Sequence, residues 1–121
     1  MQNLVIRIII FMWFFLLISS CVENNKKSIS KSDGELVFEK YNCNSCHTIG
    51  KGALIGPDLK GVTKKREKVW LESWIRNSKE LIDSGDPIAI RLYNDYNQLP
   101  MLPNNLTDIE MAKLLEYLSE E

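Results

Sequence analysis

Five residues, Cys43-Asn44-Ser45-Cys46-His47, restrict this chain of 121 more than any other stretch. Two thiols on one turn, with two residues between them, reach the two vinyl groups of a single haem and can bond to both. The imidazole that follows then faces the iron. The competing uses of the motif fail by counting. A structural zinc site takes four ligands, usually Cys or His. The whole chain has three Cys and one His, and Cys21 lies within an N-terminal signal pattern. A thioredoxin-like redox pair accompanies a βαβ pattern, and no alternating strand pattern occurs in the sequence. A disulfide across so short a loop would stabilise little. The motif therefore implies one covalent haem c, with Cys43 and Cys46 as attachment points and His47 as an axial iron ligand.

The N-terminus agrees with attachment outside the cytoplasm. Arg7 is the only charge in Met1–Ser20, and Ile8–Ile18 is an unbroken apolar run of 11 residues. A membrane-spanning helix needs roughly 20, whereas a run this short has the length of a signal-peptide core. Leu4, Val5 and Ile6 extend the apolar stretch across Arg7, so an uncleaved anchor stays open as an alternative. Ile18-Ser19-Ser20-Cys21 resembles the lipobox of bacterial lipoproteins. That resemblance implies cleavage before Cys21 and lipidation of its thiol; a plain signal with an incidental Cys is the other reading. Residues 1–20 are thus expected to be a lipoprotein-type signal peptide. Residues 21–33 are polar apart from Ile29 and are expected to be a lipid-anchored flexible tether. The folded domain is expected at 34–121, 88 residues.

Within that domain the pattern is helical. Ser32-Asp33-Gly34-Glu35 fits a capping box, and Leu36, Val37 and Tyr41 can share a stripe, with Phe38 beside it. Residues 44–68 carry Gly50, Gly52, Gly56, Pro57 and Gly61 without a sustained period and are expected to be mostly loop. A helix is expected from Glu67 to about Ser78, with Trp70, Leu71, Trp74 and Ile75 on one wide apolar face. Leu81 and Ile82 can prolong that face until Ser84-Gly85-Asp86-Pro87 stops it. Between Pro87 and Tyr96 a short helix through Ile90–Tyr93 is the expectation. Pro100 and Pro103 make 98–105 extended or turned. Thr107-Asp108-Ile109-Glu110 is a second capping box, followed by Met111, Leu114, Leu115 and Leu118 at i, i+3, i+4 and i+7. Three to five short helices in 88 residues leave a thin core, and a large apolar cofactor would fill it.

With these pieces in order, the domain resembles the small monohaem bacterial cytochromes c of the His/Met-ligated type. Gly34 and Phe38 precede Cys43-x-x-Cys46-His47; Gly56-Pro57-Asp58-Leu59, a late Met and a final helix with Leu114 and Tyr117 follow. The resemblance implies an all-α cytochrome c fold, with the first and last helices packed together through Leu36, Val37, Phe38, Leu114 and Tyr117. It implies that the Pro57 carbonyl accepts the free N–H of His47. It also implies a second axial ligand from a loop before the last helix. After signal removal only Met101 and Met111 remain. Met111 lies in a helical stripe and reads as core; Met101 lies between two prolines, so Met101 is expected on the iron. One departure stands out: the family commonly has Pro directly after this Met, and here Leu102 intervenes.

The function so implied is electron transfer, without enzymatic turnover, on the periplasmic side of a bacterial membrane. The lipid anchor would keep the protein near membrane-bound donors and acceptors, and its partners would be redox proteins. Two alternatives stay open: a haem c subunit of a larger oxidoreductase, and a ligand-binding or sensing haem. Nucleic-acid binding is not expected, since 15 basic and 16 acidic side chains nearly cancel. Lys60, Lys64, Lys65, Arg66 and Lys68 form a basic run, which reads first as a solvated face and second as a docking patch. Trp70 and Trp74 read first as core and second as donors to a haem propionate. Tyr93 and Tyr96 either line the Met side of the pocket or pack as ordinary aromatics.

Overall fold

The computed structural model describes residues 31–121. The expected signal segment 1–20, Cys21 and most of the 21–33 tether lie outside those residues. Among the described residues the chain forms five α-helices and one 3₁₀ turn, and no strand. The helices are α1 (Asp33–Lys40), α2 (Val62–Lys65), α3 (Lys68–Asp83), α4 (Pro87–Asp95) and α5 (Asp108–Glu120); the 3₁₀ turn is Cys43–Ser45. None of them is long and apolar enough to cross a membrane.

The first and last helices cross and form the dry core. Ser32 Oγ accepts from the Glu35 N–H at 3.1 Å, so α1 begins at Asp33, as the capping pattern at Ser32 predicts. At Thr107 the capping box is complete, with side chains and backbone N–H groups of Thr107 and Glu110 bonded reciprocally. Val37 and Phe38 cluster with Met111, Leu114, Leu115 and Leu118, and with Leu71 and Leu106. The Phe38 and Tyr117 rings sit 5.9 Å apart at 60°, the tilted arrangement aromatic pairs prefer.

Leu36, expected in this contact, is 51% exposed. The buried stripe of α1 runs instead through Gly34, Val37 and Phe38 toward Tyr41, spaced i, i+3, i+4 and i+7. The physical reason is Gly34 itself. A Cβ there would overlap the Lys113 carbonyl and the Tyr117 Cβ. The missing side chain is therefore the point of closest helix approach, and it turns Leu36 outward.

Residues 44–68 are mostly loop, as expected, apart from α2, a single turn entered through Gly61 at φ 65°. Helix α3 runs through Leu81 and Ile82 to Asp83 and stops at Ser84, as expected, but is interrupted at Asn77, whose backbone is extended (φ −159°, ψ 85°). One helix limit needs correction. Helix α4 covers Pro87–Asp95 rather than only Ile90–Tyr93. The Ser84–Pro87 segment that ends α3 also starts α4: Asp86 Oδ1 accepts from Ile88 N at 3.0 Å and from Ala89 N at 2.8 Å, with Pro87 in the first turn.

Candidate haem site

The motif is shaped by the end of α1. The Asn42 backbone is left-handed at φ 54°, a conformation that Asn tolerates. It turns the chain into the 3₁₀ segment, where the Cys46 and His47 N–H groups donate to the Cys43 carbonyl at 3.2 and 2.9 Å. Cys43 and Cys46 are half-buried, unbridged thiols. Burial pushes the Cys43 thiol above its ordinary pKa.

His47 is fixed from behind. Its Nδ1 donates to the Pro57 carbonyl at 2.9 Å, which leaves Nε2 without its proton and free to bind a metal. Gly56 lets the loop come this close, since a Cβ there would lie 2.9 Å from Nδ1 and 3.2 Å from Nε2. The loop is bound to the motif by Gly56 N to Cys46 O at 2.8 Å and Leu59 N to Thr48 O at 2.8 Å. Asp58 closes it from inside. Its carboxylate accepts from the N–H groups of Lys60, Gly50 and Gly52. These bonds, that of Lys60 first, pull its pKa from 3.8 down to about 2.

His47, Cys43 and Cys46 line a cavity of about 860 Å³ that Met101 also lines. Its lining is mainly apolar and includes Trp70, Trp74, Tyr93 and Tyr96. Met101 is half-buried in an extended segment, while Leu102 beside it is 80% exposed. Leu102, where the sequence departs from the family pattern, also borders the cavity. Trp70 and Trp74 stack at 5.2 Å and 12°. Trp70 packs against the core, as its first reading had it. Its Nε1–H is nevertheless buried without a partner, which is costly unless a bound group accepts from it. The Arg66 guanidinium lies over the Trp70 ring at 5.9 Å. The basic run is otherwise exposed. Among the described residues no group of three Cys, His, Asp or Glu side chains could hold a bare metal ion.

Two residues of this site escaped sequence reasoning. Ser78 is completely buried, and its Oγ donates to the Met101 carbonyl at 2.8 Å. The signal was a hydroxyl on the apolar stripe of α3, seven residues after Leu71. Asp58 was read only as part of a motif; the turns at Gly50 and Gly52 that bring three N–H groups to it are tertiary.

Comparison with known proteins fits this geometry. The cytochrome c family profile matches residues 32–120. No curated protein sequence matches the chain. Among solved structures, the cytochrome c domain of a Pseudomonas putida protein is 37% identical, with a TM-score of 0.62 over 72% of this chain and 85% of that one. A cytochrome c from Rhodothermus marinus is 31% identical, with a TM-score of 0.65 over 73% of this chain and 72% of that one. An engineered form of the Rhodothermus marinus protein is 28% identical, with a TM-score of 0.64 over 84% and 87%. The chain belongs to the cytochrome c family and has its all-α fold. It is a haem c electron-transfer protein, with Cys43 and Cys46 at the attachment spacing. The residues present fit the cofactor: two thiols and an oriented imidazole on an apolar cavity of suitable size, with an unpaired indole N–H in its lining.

Proposed function

We propose that this protein carries single electrons between redox proteins outside the cytoplasmic membrane, without turning over a substrate. Haem bound in the cavity supplies a one-electron ferrous–ferric couple. Cys43 and Cys46 would hold it by thioether bonds. His47 Nε2 and the Met101 thioether would ligate the iron, and Pro57 would orient His47 and raise its basicity. Trp70 Nε1–H would donate to a propionate carboxylate. Asn44 and Ser45, exposed beside the attachment cysteines, mark the side from which a partner reaches the haem edge. The signal pattern of residues 1–20 and the lipobox at Cys21 support a tether on the periplasmic side of a bacterial membrane, near membrane-bound donors and acceptors. The chain's one histidine is used as a ligand, so no second imidazole is available for acid–base chemistry at iron.

The observation that carries this reading is the His47 Nδ1–Pro57 O bond at 2.9 Å, which presents Nε2 for ligation on a cavity shared with Met101. Optical spectroscopy of the purified holoprotein and of Met101→Ala tests it. The wild type should show a low-spin iron spectrum with the weak red band of thioether–ferric charge transfer. The variant should lose that band and become high-spin. An unchanged spectrum would overturn the Met101 assignment.

A further inference from the structure

We infer that Ser78 and the break in α3 at Asn77 form a latch that holds the Met101 segment closed; this rests on Met101 being the sixth iron ligand. Ser78 is a positioning residue in this account, acting on iron only through the Met101 backbone. Three observations converge on one short stretch of α3. Ser78 is the one polar side chain among the buried described residues, at 0% exposure, and its hydroxyl donates to Met101 O at 2.8 Å. Immediately before it, at the extended Asn77, the regular helix is interrupted. There the Arg76 carbonyl accepts from Asn104 N at 3.3 Å. The Arg76 guanidinium donates to Leu106 O at 2.8 Å and pairs with Asp108 at 2.7 Å. The segment from Met101 to Asp108 is thus held along its length by residues 76 and 78.

The entry to the same segment resists that arrangement. Asn97 and Gln98 are both left-handed, each at φ 57°; Asn tolerates that conformation, but for Gln98 it costs energy. Met101 therefore sits between a strained entry and a latched exit. Losing the Ser78 hydroxyl strands a buried carbonyl only in the closed form, because water satisfies it once the segment swings out. The equilibrium between ligated and unligated Met101 should shift by about tenfold.

Imidazole added to the ferric holoprotein reads this directly, since it binds iron in proportion to the fraction with Met101 off. In Ser78→Ala the apparent imidazole affinity should rise about tenfold. Ser78→Cys keeps the volume but has only a weak donor, and it should rise by a smaller factor. If Ser78→Ala fails to fold, Ser78→Cys carries the test. The same substitution placed in Met101→Ala should change nothing, because no thioether is left to position. Unchanged affinity in both single variants would overturn the latch. So would an equal rise in the Met101→Ala background, which would make Ser78 merely structural. If Met101→Ala itself binds imidazole like the wild type, the ligand assignment has failed first, and the latch fails with it.

Discussion

The α1–α5 crossing and the wall made by α4 with residues 97–105 are built on opposite plans. At the crossing, protein packs against protein: Met111 and Leu115 are 1% and 7% exposed, and Gly34 removes even a Cβ to bring the helices together. In the second region Ala89 is the one buried residue of α4. Leu92, Tyr93 and Tyr96 line the cavity. The segment that follows is held by backbone hydrogen bonds to Arg76 and Ser78. A domain this small has too little interior for two protein cores. It gives one half to side-chain packing and lets a prosthetic group complete the other.

The largest expected effect breaks the second half outright. Cys43→Ser together with Cys46→Ser prevents attachment, so the walls of the cavity lose their common partner. Far-UV circular dichroism should show most helical signal gone, and amide exchange should be fastest in α4 and 97–105. Full retention of helicity would refute the cofactor as half of the core.

Met111→Ala tests the other half. Removing a large buried side chain at the crossing should cost about 2–5 kcal/mol in denaturant unfolding. The visible spectrum of the folded protein should stay unchanged, because the lesion lies in the dry core. A spectrum that shifts with the substitution would show that the two halves are not separable.

Acid sharpens the comparison. Glu110 joins the end of α1 to the start of α5: it pairs with Lys40, accepts from Tyr41, and bonds Thr107. The Lys40 bond first, then Thr107, lowers its pKa from 4.5 to about 2. A carboxylate lowered in the folded state stabilises fully above its unfolded pKa, and the gain disappears as pH falls through the folded value. Glu110→Gln should therefore flatten the loss of stability between pH 4.5 and about 2. Asp58→Asn should flatten a similar limb between pH 3.8 and about 2. Since Asp58 braces the Pro57 loop, its effect should appear in the haem spectrum, whereas that of Glu110 should appear in helicity. Acid titrations followed by both signals check the assignment; identical behaviour of the two variants would contradict it.

The smallest effect is a gain. Gln98 holds a left-handed conformation at φ 57°. Gln98→Gly should relieve about 1 kcal/mol of backbone strain, partly offset by the extra freedom of glycine in the unfolded chain. Unfolding should shift to slightly higher denaturant, and a shift the other way would mean the Gln98 side chain holds the turn.

Much of this was legible before any coordinates. The two capping residues Ser32 and Thr107, the i, i+3, i+4, i+7 run ending at Leu118, and the Cys43–His47 motif are local signals, and each lies where expected. Leu36 misled because the stripe of α1 was drawn through apolar side chains alone, whereas at this helix crossing Gly34 is itself the contact. The start of α4 was blurred because Asp86, which caps the Ile88 and Ala89 N–H groups, lies in a segment that also reads as a helix stop. Ser78 and Asp58 were hidden for a different reason. Their partners are backbone atoms of distant or folded-back segments, and a backbone carbonyl or N–H leaves no mark on residue identity.

Composition, helix periods and the Cys-x-x-Cys-His spacing were by themselves enough to establish an all-α domain around a covalent haem c, because those signals act within a few residues of one another. What brings the Pro57 carbonyl, implied by the family resemblance, onto His47, what holds the Met101 segment and where the indole N–H of Trp70 is left unpaired were decided only when the chain closed on itself. Such bonds join residues 10, 23 or more positions apart, and their geometry depends on how helices cross rather than on any residue's preference.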